Sequence, residues 1–360
     1  MDLAVYKPEE IFYPTVALIS FILALLLTPV AKRIALKLDI VDRPGGRKIH
    51  STVVPYLGGL AIYVAFWLSL GLSMAHHLRQ LTAIVFAGTF VMLLGLVDDR
   101  YGLPPRAKLS GQAFAGLVLI TAGIRFHLGN PFPIDHALSL LWIVGLTNAM
   151  NLLDNMDGLS GGATLISSFF LFLLAAHNGQ YLVAAMSLSM MGACLGFLRY
   201  NFAPASIFMG DAGSLFLGFI SAIMALKLRP ASEVQLLNLM VPATLLGLPI
   251  LDTTLVTFQR IAHGRKWYQG GRDHCSHRLV VAGCTRTQAV LILYLVSVIY
   301  GLFAILLNML GPNPLLLGLI TAYTAVLFVK LSAVPVYPKQ EVEGLALGDA
   351  LGGFPAGPER

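Results

Sequence analysis

Residues 80–100 read QLTAIVFAGTFVMLLGLVDDR. An apolar run ends abruptly on two adjacent carboxylates, Asp98 and Asp99, and a cation, Arg100. About 20 mostly apolar residues carry a helix across a bilayer. The stretch 80–97 therefore reads as a membrane span whose charged end lies at the interface. The pattern recurs at 11–31, 54–74, 109–124, 137–153, 159–176, 181–198, 212–226, 236–258, 288–309 and 314–332, so the expected fold is an all-α polytopic membrane protein with eleven transmembrane helices. Several segments are short for a span, which implies tilt or local thinning. No repeat of the inverted-transporter kind is visible.

Composition agrees. The 360 residues are 57% hydrophobic and only 12% charged, against about 25% charged in an ordinary globular chain. That excludes a soluble multidomain enzyme, a disordered protein and a nucleic-acid-binding module. Cys194, Cys275 and Cys284 make no disulfide framework. The N-terminal MDLAVYKPEE lacks a cationic leader, and no small-residue cleavage site follows, so the first span reads as retained.

The 24 Lys and Arg, in a chain of net charge +6, set the orientation. The loop after the first span holds Lys32, Arg33, Lys37, Arg43, Arg47 and Lys48. If that side is cytoplasmic, only Lys7, Arg79, Arg125, Lys227 and Arg229 fall on the other. The N-terminus is then expected outside and the C-terminus inside. Residues 1–333 read as one integral-membrane domain, and the Gly- and Pro-rich 334–360 as a disordered cytoplasmic tail.

Polar motifs crowd into the cytoplasmic loops: DRPGGRKIHSTVVPYLGG (42–59), LVDDRYGLPPRAKLSGQ (96–112), NAMNLLDNMDGLSGG (148–162), RYNFAPASIFMGDAGS (199–214), PILDTT (249–254) and GGRDHCSHRL (270–279). An enzyme working at one membrane face has this distribution, whereas a transporter places ionisable groups near the midplane. Asp98 and Asp99 suit a hard cation or proton transfer, or simply a solvated helix end. Asn148, Asn151 and Asp154 recur every three residues and share one helix face that lipid does not tolerate. Asp157-Gly158 breaks that helix, and Gly161-Gly162 would let backbone approach a ligand. Asp211 is either a helix N-cap or part of an anion or metal site at a helix start. Phe208 either stacks on a planar base or staples the helix. Asp252 is a carboxylate in apolar sequence beside Pro249, which is expected to kink its helix. His274 and His277 have poor spacing for zinc and, flanked by Arg272 and Arg278, suit a phosphate clamp or a basic loop. Arg47, Lys48 and His50 allow the same two readings. Together these groups fit metal-assisted phosphoryl chemistry on a polyanionic substrate.

At these motifs the chain resembles the polyprenyl-phosphate N-acetylhexosamine-1-phosphate transferase family (glycosyltransferase family 4). DRPGGRKIH with YLGG, DDR, NAMNLLDNMDGLSGG, FMGDAGS, PILDTT and DHCSHRL match in order across roughly residues 40–280. The resemblance implies a multi-pass enzyme of the bacterial inner membrane, N-terminus periplasmic, with a cytoplasmic active site. It implies transfer of a HexNAc-1-phosphate, most simply GlcNAc-1-phosphate, from a UDP-sugar to undecaprenyl phosphate with release of UMP. That is a first membrane step of cell-surface polysaccharide synthesis, serving O-antigen, common antigen or teichoic acid linkage units. The muramoyl-pentapeptide branch carries three consecutive histidines where this chain has His274-Cys275-Ser276-His277, which favours the UDP-GlcNAc branch. The alternatives are that muramoyl-pentapeptide transferase and, in another class, a proton-coupled transporter using Asp252. One departure from the family pattern is Val53, where members often carry proline.

The resemblance also implies roles. Mg²⁺, with Mn²⁺ as substitute, would be held by Asp211 with Asn151 and Asp99. Asp98, Asp99 and Asp211 would be catalytic, Asp98 acting on the acceptor phosphate. Asn148, Asp154 and Asp157 would line the nucleotide pocket, with Phe208 against uracil. Lys48, His50, Lys108, His274, His277 and Arg278 would neutralise phosphates, and an imidazole beside a diphosphate should protonate more readily than free histidine. The expected partners are a UDP-N-acetylhexosamine, undecaprenyl phosphate and membrane lipid, not nucleic acid, with a homodimer as the candidate assembly.

Overall fold

The computed structural model describes residues 8–42, 53–71, 78–129, 133–230 and 234–337. The chain runs through α1 (Pro8–Lys37), a two-residue antiparallel ladder of β1 (Val41–Asp42) and β2 (Val54–Pro55), then α2 (Gly58–Gly71), α3 (Leu78–Tyr101), α4 (Pro105–Thr121), α5 (Ile134–Leu153), α6 (Leu159–His177) and α7 (Tyr181–Asn201). It continues through α8 (Gly210–Lys227), α9 (Leu237–Leu245), α10 (Gly247–Ala262), α11 (Cys275–Val281), α12 (Arg286–Leu310) and α13 (Pro314–Ser332). Helices dominate because a segment in hydrocarbon must satisfy its own backbone N–H and C=O groups. The small ladder is the one departure from all-α among the described residues.

Eight described helices are long and apolar enough to cross a membrane, or nine if α9 and α10, bent by 79°, form one span. The expectation was eleven. α2 and α4, at 14 and 17 residues, match expected spans but fall short of that length. The bend in the 236–258 segment sits at Leu246, not at Pro249. Pro249 lies in the first turn of α10, where a missing N–H breaks no intrahelical bond.

α8 is the axis of the bundle. Every residue from Ala212 to Leu226 is buried. α3 and α5 flank it, α2 crosses it, and α1 packs on α7 at one side. Gly192 and Gly196, one turn apart on α7, let α1 approach so closely that a Cβ at either would meet the α1 backbone at 2.3 and 2.5 Å. α12 covers α6 and α9, and α13 lies at the rim, mostly uncovered. This topology brings the C-terminal ends of α3 and α5 and the N-terminal ends of α4, α6 and α8 to one end of the bundle.

Of the expected 334–360 tail, 334–337 are described: Tyr337 Oη donates to Asp273 Oδ2 at 2.6 Å. The remainder of that tail, like Lys48 and His50, lies outside the described residues.

Candidate active site

The site begins where α3 meets the start of α8. Gly210 opens α8 at φ +75°, and a Cβ there would sit 2.6 Å from the Asp99 carboxylate. Asp99 accepts from the backbone N–H of Asp211 at 2.7 Å and of Ala212 at 3.1 Å. The cap of α8 therefore comes from α3, which satisfies N–H groups a helix start otherwise leaves orphaned. Asp99 holds the Asp211 turn in place, each of its oxygens accepting from a backbone donor.

Capping by Asp99 frees the Asp211 side chain. Lys108 Nζ lies 2.9 Å from Asp211 Oδ2 and 2.5 Å from Asp98 Oδ2. Asn151 Nδ2 donates to Asp211 Oδ1 at 2.9 Å and to Ser214 Oγ at 2.8 Å. Leu103 N–H fixes the other Asp98 oxygen at 2.6 Å. Two carboxylates from different helices thus converge on a single cationic position. No group of three or more His, Cys, Asp or Glu side chains is arranged for a metal among the described residues. A Mg²⁺ site needs fewer, since this ion is bound by one or two carboxylates plus waters and substrate phosphates. The oxygen donors of Asp98, Asp211 and Asn151 fit that requirement.

Beside this cluster opens a cavity of about 680 Å³, within the size of small-molecule sites. Asn151, Asp154, Asp157, Phe208, Asp211 and His277 line it, all expected from the sequence. Burial, then the charges of Asp211, Asp99 and Asp157, push Asp154 up to about 8, so it keeps a proton near neutrality until positive charge arrives. Asp157 Oδ2 accepts from Ala205 N–H at 2.9 Å, pinning the α7–α8 connection across the cavity. The Phe208 ring lies 6.0 Å from that of Tyr56, the two tilted by 48°.

Other expected residues do not reach the cavity. Asn148 is paired with Gln112 across α4 and α5. His274 Nδ1 bonds Asp252 Oδ2 at 2.7 Å, and Cys275 N–H reaches the other Asp252 oxygen at 2.7 Å. Asp252, wholly buried, ties the α11 loop to α10. Arg278 is no phosphate clamp. It is fully buried, its Nε donating to Asp273 O at 2.8 Å and its Nη1 to Leu331 O and Val334 O at 3.0 Å. Arg272 and Arg286 line the cavity instead. Asp273, buried in the bidentate grip of Arg260 at 2.8 Å, is held down to about 2. Gly162 serves packing, not a ligand: a Cβ there would lie 2.0 Å from the Tyr294 ring, whose hydroxyl donates to Gly158 O at 2.5 Å.

Sequence reasoning also missed Asp42, Tyr56, Asn155 and Asn201 as cavity residues. Asn155 lay inside a quoted motif and donates from Nδ2 to Leu152 O at 2.7 Å while accepting from Ser276 Oγ at 2.5 Å. It connects the α5–α6 turn to α11.

The rise expected for His277 applies beside a bound diphosphate; in the free protein burial acts on it. Burial and the neighbouring His274 push it down to about 4, so the ligand-free protein holds it neutral. Between roughly pH 6.5 and 4 the unfolded chain binds a proton there and the folded chain does not, so stability is full above about 6.5 and falls toward pH 4, by up to ~3 kcal/mol. Melting temperatures of the wild type and His277→Gln, measured from pH 7 to 4.5, should show the steeper acid loss in the wild type. Equal slopes would contradict a buried neutral imidazole.

Residues 81–229 match the family described as glycosyl transferase family 4. The chain is 34% identical to a probable undecaprenyl-phosphate N-acetylglucosaminyl 1-phosphate transferase of Bacillus subtilis (strain 168), over 88% of this chain and 90% of that protein. It is 34% identical to the decaprenyl-phosphate N-acetylglucosaminephosphotransferase of Mycolicibacterium smegmatis, over 78% of each. It is 25% identical to the undecaprenyl-phosphate alpha-N-acetylglucosaminyl 1-phosphate transferase of Escherichia coli (strain K12), over 77% of this chain and 78% of that one.

Proposed function

The chain belongs to glycosyl transferase family 4, and from that premise we propose that it transfers N-acetylglucosamine 1-phosphate from UDP-GlcNAc to undecaprenyl phosphate, releasing UMP. The observation that carries the reading is the convergence of Asp98 and Asp211 on Lys108 at the rim of a polar cavity. A UDP-sugar places its diphosphate where that cation and those carboxylates meet. We assign the nucleotide to Asp154, Asp157 and Phe208; Arg272, Arg286 and His277 line the same cavity. Relatives acting on N-acetylglucosamine 1-phosphate, by their names, favour this donor.

The reaction exchanges one phosphoanhydride for another, so its equilibrium lies near unity and catalysis comes from positioning and charge neutralisation. Lys108 binds phosphate oxygen and offsets the repulsion between the two carboxylates. Asp98 orients the acceptor phosphate for in-line attack on the β-phosphorus and accepts its residual proton. Asp211, with Asn151 fixing its rotamer, would hold Mg²⁺, and Asp99 positions Asp211. Mg²⁺ when bound supplies charge neutralisation at the diphosphate. Purified protein in detergent, given undecaprenyl phosphate and UDP-GlcNAc, should release UMP only with Mg²⁺ or Mn²⁺. EDTA should abolish release and added Mg²⁺ restore it. Full activity of demonstrably metal-free protein would remove the cation, and UMP release only with a muramoyl-pentapeptide donor would reassign the substrate.

We place this site on the cytoplasmic face of the bacterial inner membrane, with α2 and α4 completing eleven crossings and the N-terminus outside. The positive-inside bias supports it. In a variant without native cysteines, Gln235→Cys should react with an impermeant thiol reagent added to intact cells and Gly270→Cys should not. The reverse pattern would invert the topology.

A further inference from the structure

A second cavity, of about 410 Å³, lies at the other end of α8. The 18 residues of α8, at ~1.5 Å each, separate it from the Asp211 end by roughly 27 Å, close to a bilayer core. Its wall carries three half-buried cations, Arg125, Lys227 and Arg229. Their polar contacts are an amide oxygen and two imidazoles. Lys227 Nζ donates to Gln80 Oε1 at 2.5 Å, Arg229 Nη2 meets His127 Nδ1 at 2.8 Å, and the Arg125 guanidinium meets His136. Among the described residues, none of the three forms an ion pair with a carboxylate. The neighbouring Asp135 accepts from Leu128 N–H at 2.9 Å.

The backbone adds to this field. The 21-residue helix α7 begins at the same cavity, whose lining includes Tyr181, Leu182 and Val183 of its first turn. Its N-cap residue, Gln180, does not cap with its side chain; Gln180 Oε1 instead accepts from Arg229 N–H at 3.0 Å. The positive end of the helix dipole thus faces the cavity that holds the three cations. Withdrawing cations from water without a counter-charge is unfavourable, and a bound anion offsets it. Two guanidinium groups favour an anion with several acceptor oxygens, which they engage in bidentate fashion.

We propose that this cavity binds a phosphate-bearing anion at the membrane face opposite the transferase site. The phosphate is either the headgroup of a lipid in that leaflet or free inorganic phosphate. Basic pockets between transmembrane helices take lipid headgroups on the cytoplasmic side; this cavity offers the same chemistry at the other face and has room for one.

The test uses the full chain, purified in detergent and stripped of lipid, with native mass spectrometry as readout. Phosphatidylglycerol and phosphatidylcholine are added in turn, and inorganic phosphate is titrated as competitor. The wild type should retain one phosphatidylglycerol, with a preference over phosphatidylcholine of about tenfold. The double variant Lys227→Gln/Arg229→Gln should lose that preference, and Lys227→Arg should keep it. Displacement by inorganic phosphate supports the site and assigns recognition to the phosphate alone. Retention against phosphate supports it with lipid as the source. Should the double variant not purify as a single species, Arg125→Gln is read instead and should weaken retention several-fold. Undiminished phosphatidylglycerol retention by whichever variant is read, or binding of neither lipid nor phosphate by the wild type, would overturn the proposal.

Discussion

Asp211→Asn should lower turnover at least about 100-fold, which is ~2.7 kcal/mol of transition-state free energy, while leaving the melting temperature almost unchanged. Both halves follow from the geometry. Asparagine keeps the shape but removes the charge that Lys108 and a divalent cation need. The helix start does not depend on this side chain, because α8 is capped by Asp99 through the N–H groups of Asp211 and Ala212. Asp99→Asn supplies the contrast. It replaces one acceptor oxygen with an amide nitrogen that cannot accept, so it should lower both activity and stability, the latter by about 1 kcal/mol. The pair is measured by initial rates and thermal unfolding on the same preparations. If Asp211→Asn keeps more than about a tenth of the rate, a loss under ~1.4 kcal/mol, Asp211 does not carry the chemistry.

Gly59→Val should be nearly as damaging without touching a functional group. A Cβ at Gly59 would lie 2.2 Å from Gly213 Cα and 2.3 Å from Gly213 N. Both are backbone atoms of α8, so no rotamer change relieves the clash and the two helices must separate. The start of α2 is stitched to the segment leading into Asp211: Gly58 N–H donates to Phe208 O at 3.0 Å, Gly59 N–H to Met209 O at 2.9 Å, and Phe208 N–H to Pro55 O at 2.8 Å. Pushing α2 away moves the Phe208–Asp211 turn with it. Overpacking of this kind costs about 1–3 kcal/mol or more, and a displacement near 1 Å at a reacting group costs roughly 100-fold in rate. Melting temperature and turnover should fall together. A Gly59→Val enzyme with wild-type rate would show that the crossing does not position the site.

Local signals made much of this legible in the sequence. Apolar length gave the helices, and motifs stacked at helix ends gave Asn151, Asp154, Asp157, Phe208, Asp211 and His277 as neighbours around one cavity. What stayed hidden depends on which way a side chain turns once remote segments meet. Arg272 and Arg278 flank the same histidines in sequence, yet the seven-residue helix α11 points Arg278 into carbonyls at the end of α13 and leaves Arg272 on the cavity. Asp98 and Asp99 are adjacent, yet one bonds a lysine and the other caps a helix 112 residues on. Gly162 reads as an opening for a ligand until Tyr294, far along the chain, fills the space. Arg286 carries no motif at all. It sits inside a capping box of Thr285 and Gln288 that marks only a helix start, and the fold of α12 brings it to the cavity.

In the proposed reaction the phosphorus next to the sugar travels with it. This is tested most directly with UDP-GlcNAc labelled both in the sugar with carbon-14 and at the β-phosphate with phosphorus-32, incubated with the purified protein, undecaprenyl phosphate and Mg²⁺. The expected result is a lipid product carrying both labels in equimolar amounts, with unlabelled UMP appearing at the same rate. A lipid that carries the sugar label without phosphorus-32, with the phosphate label left in UDP, would contradict sugar-phosphate transfer and make the protein an ordinary glycosyl transferase.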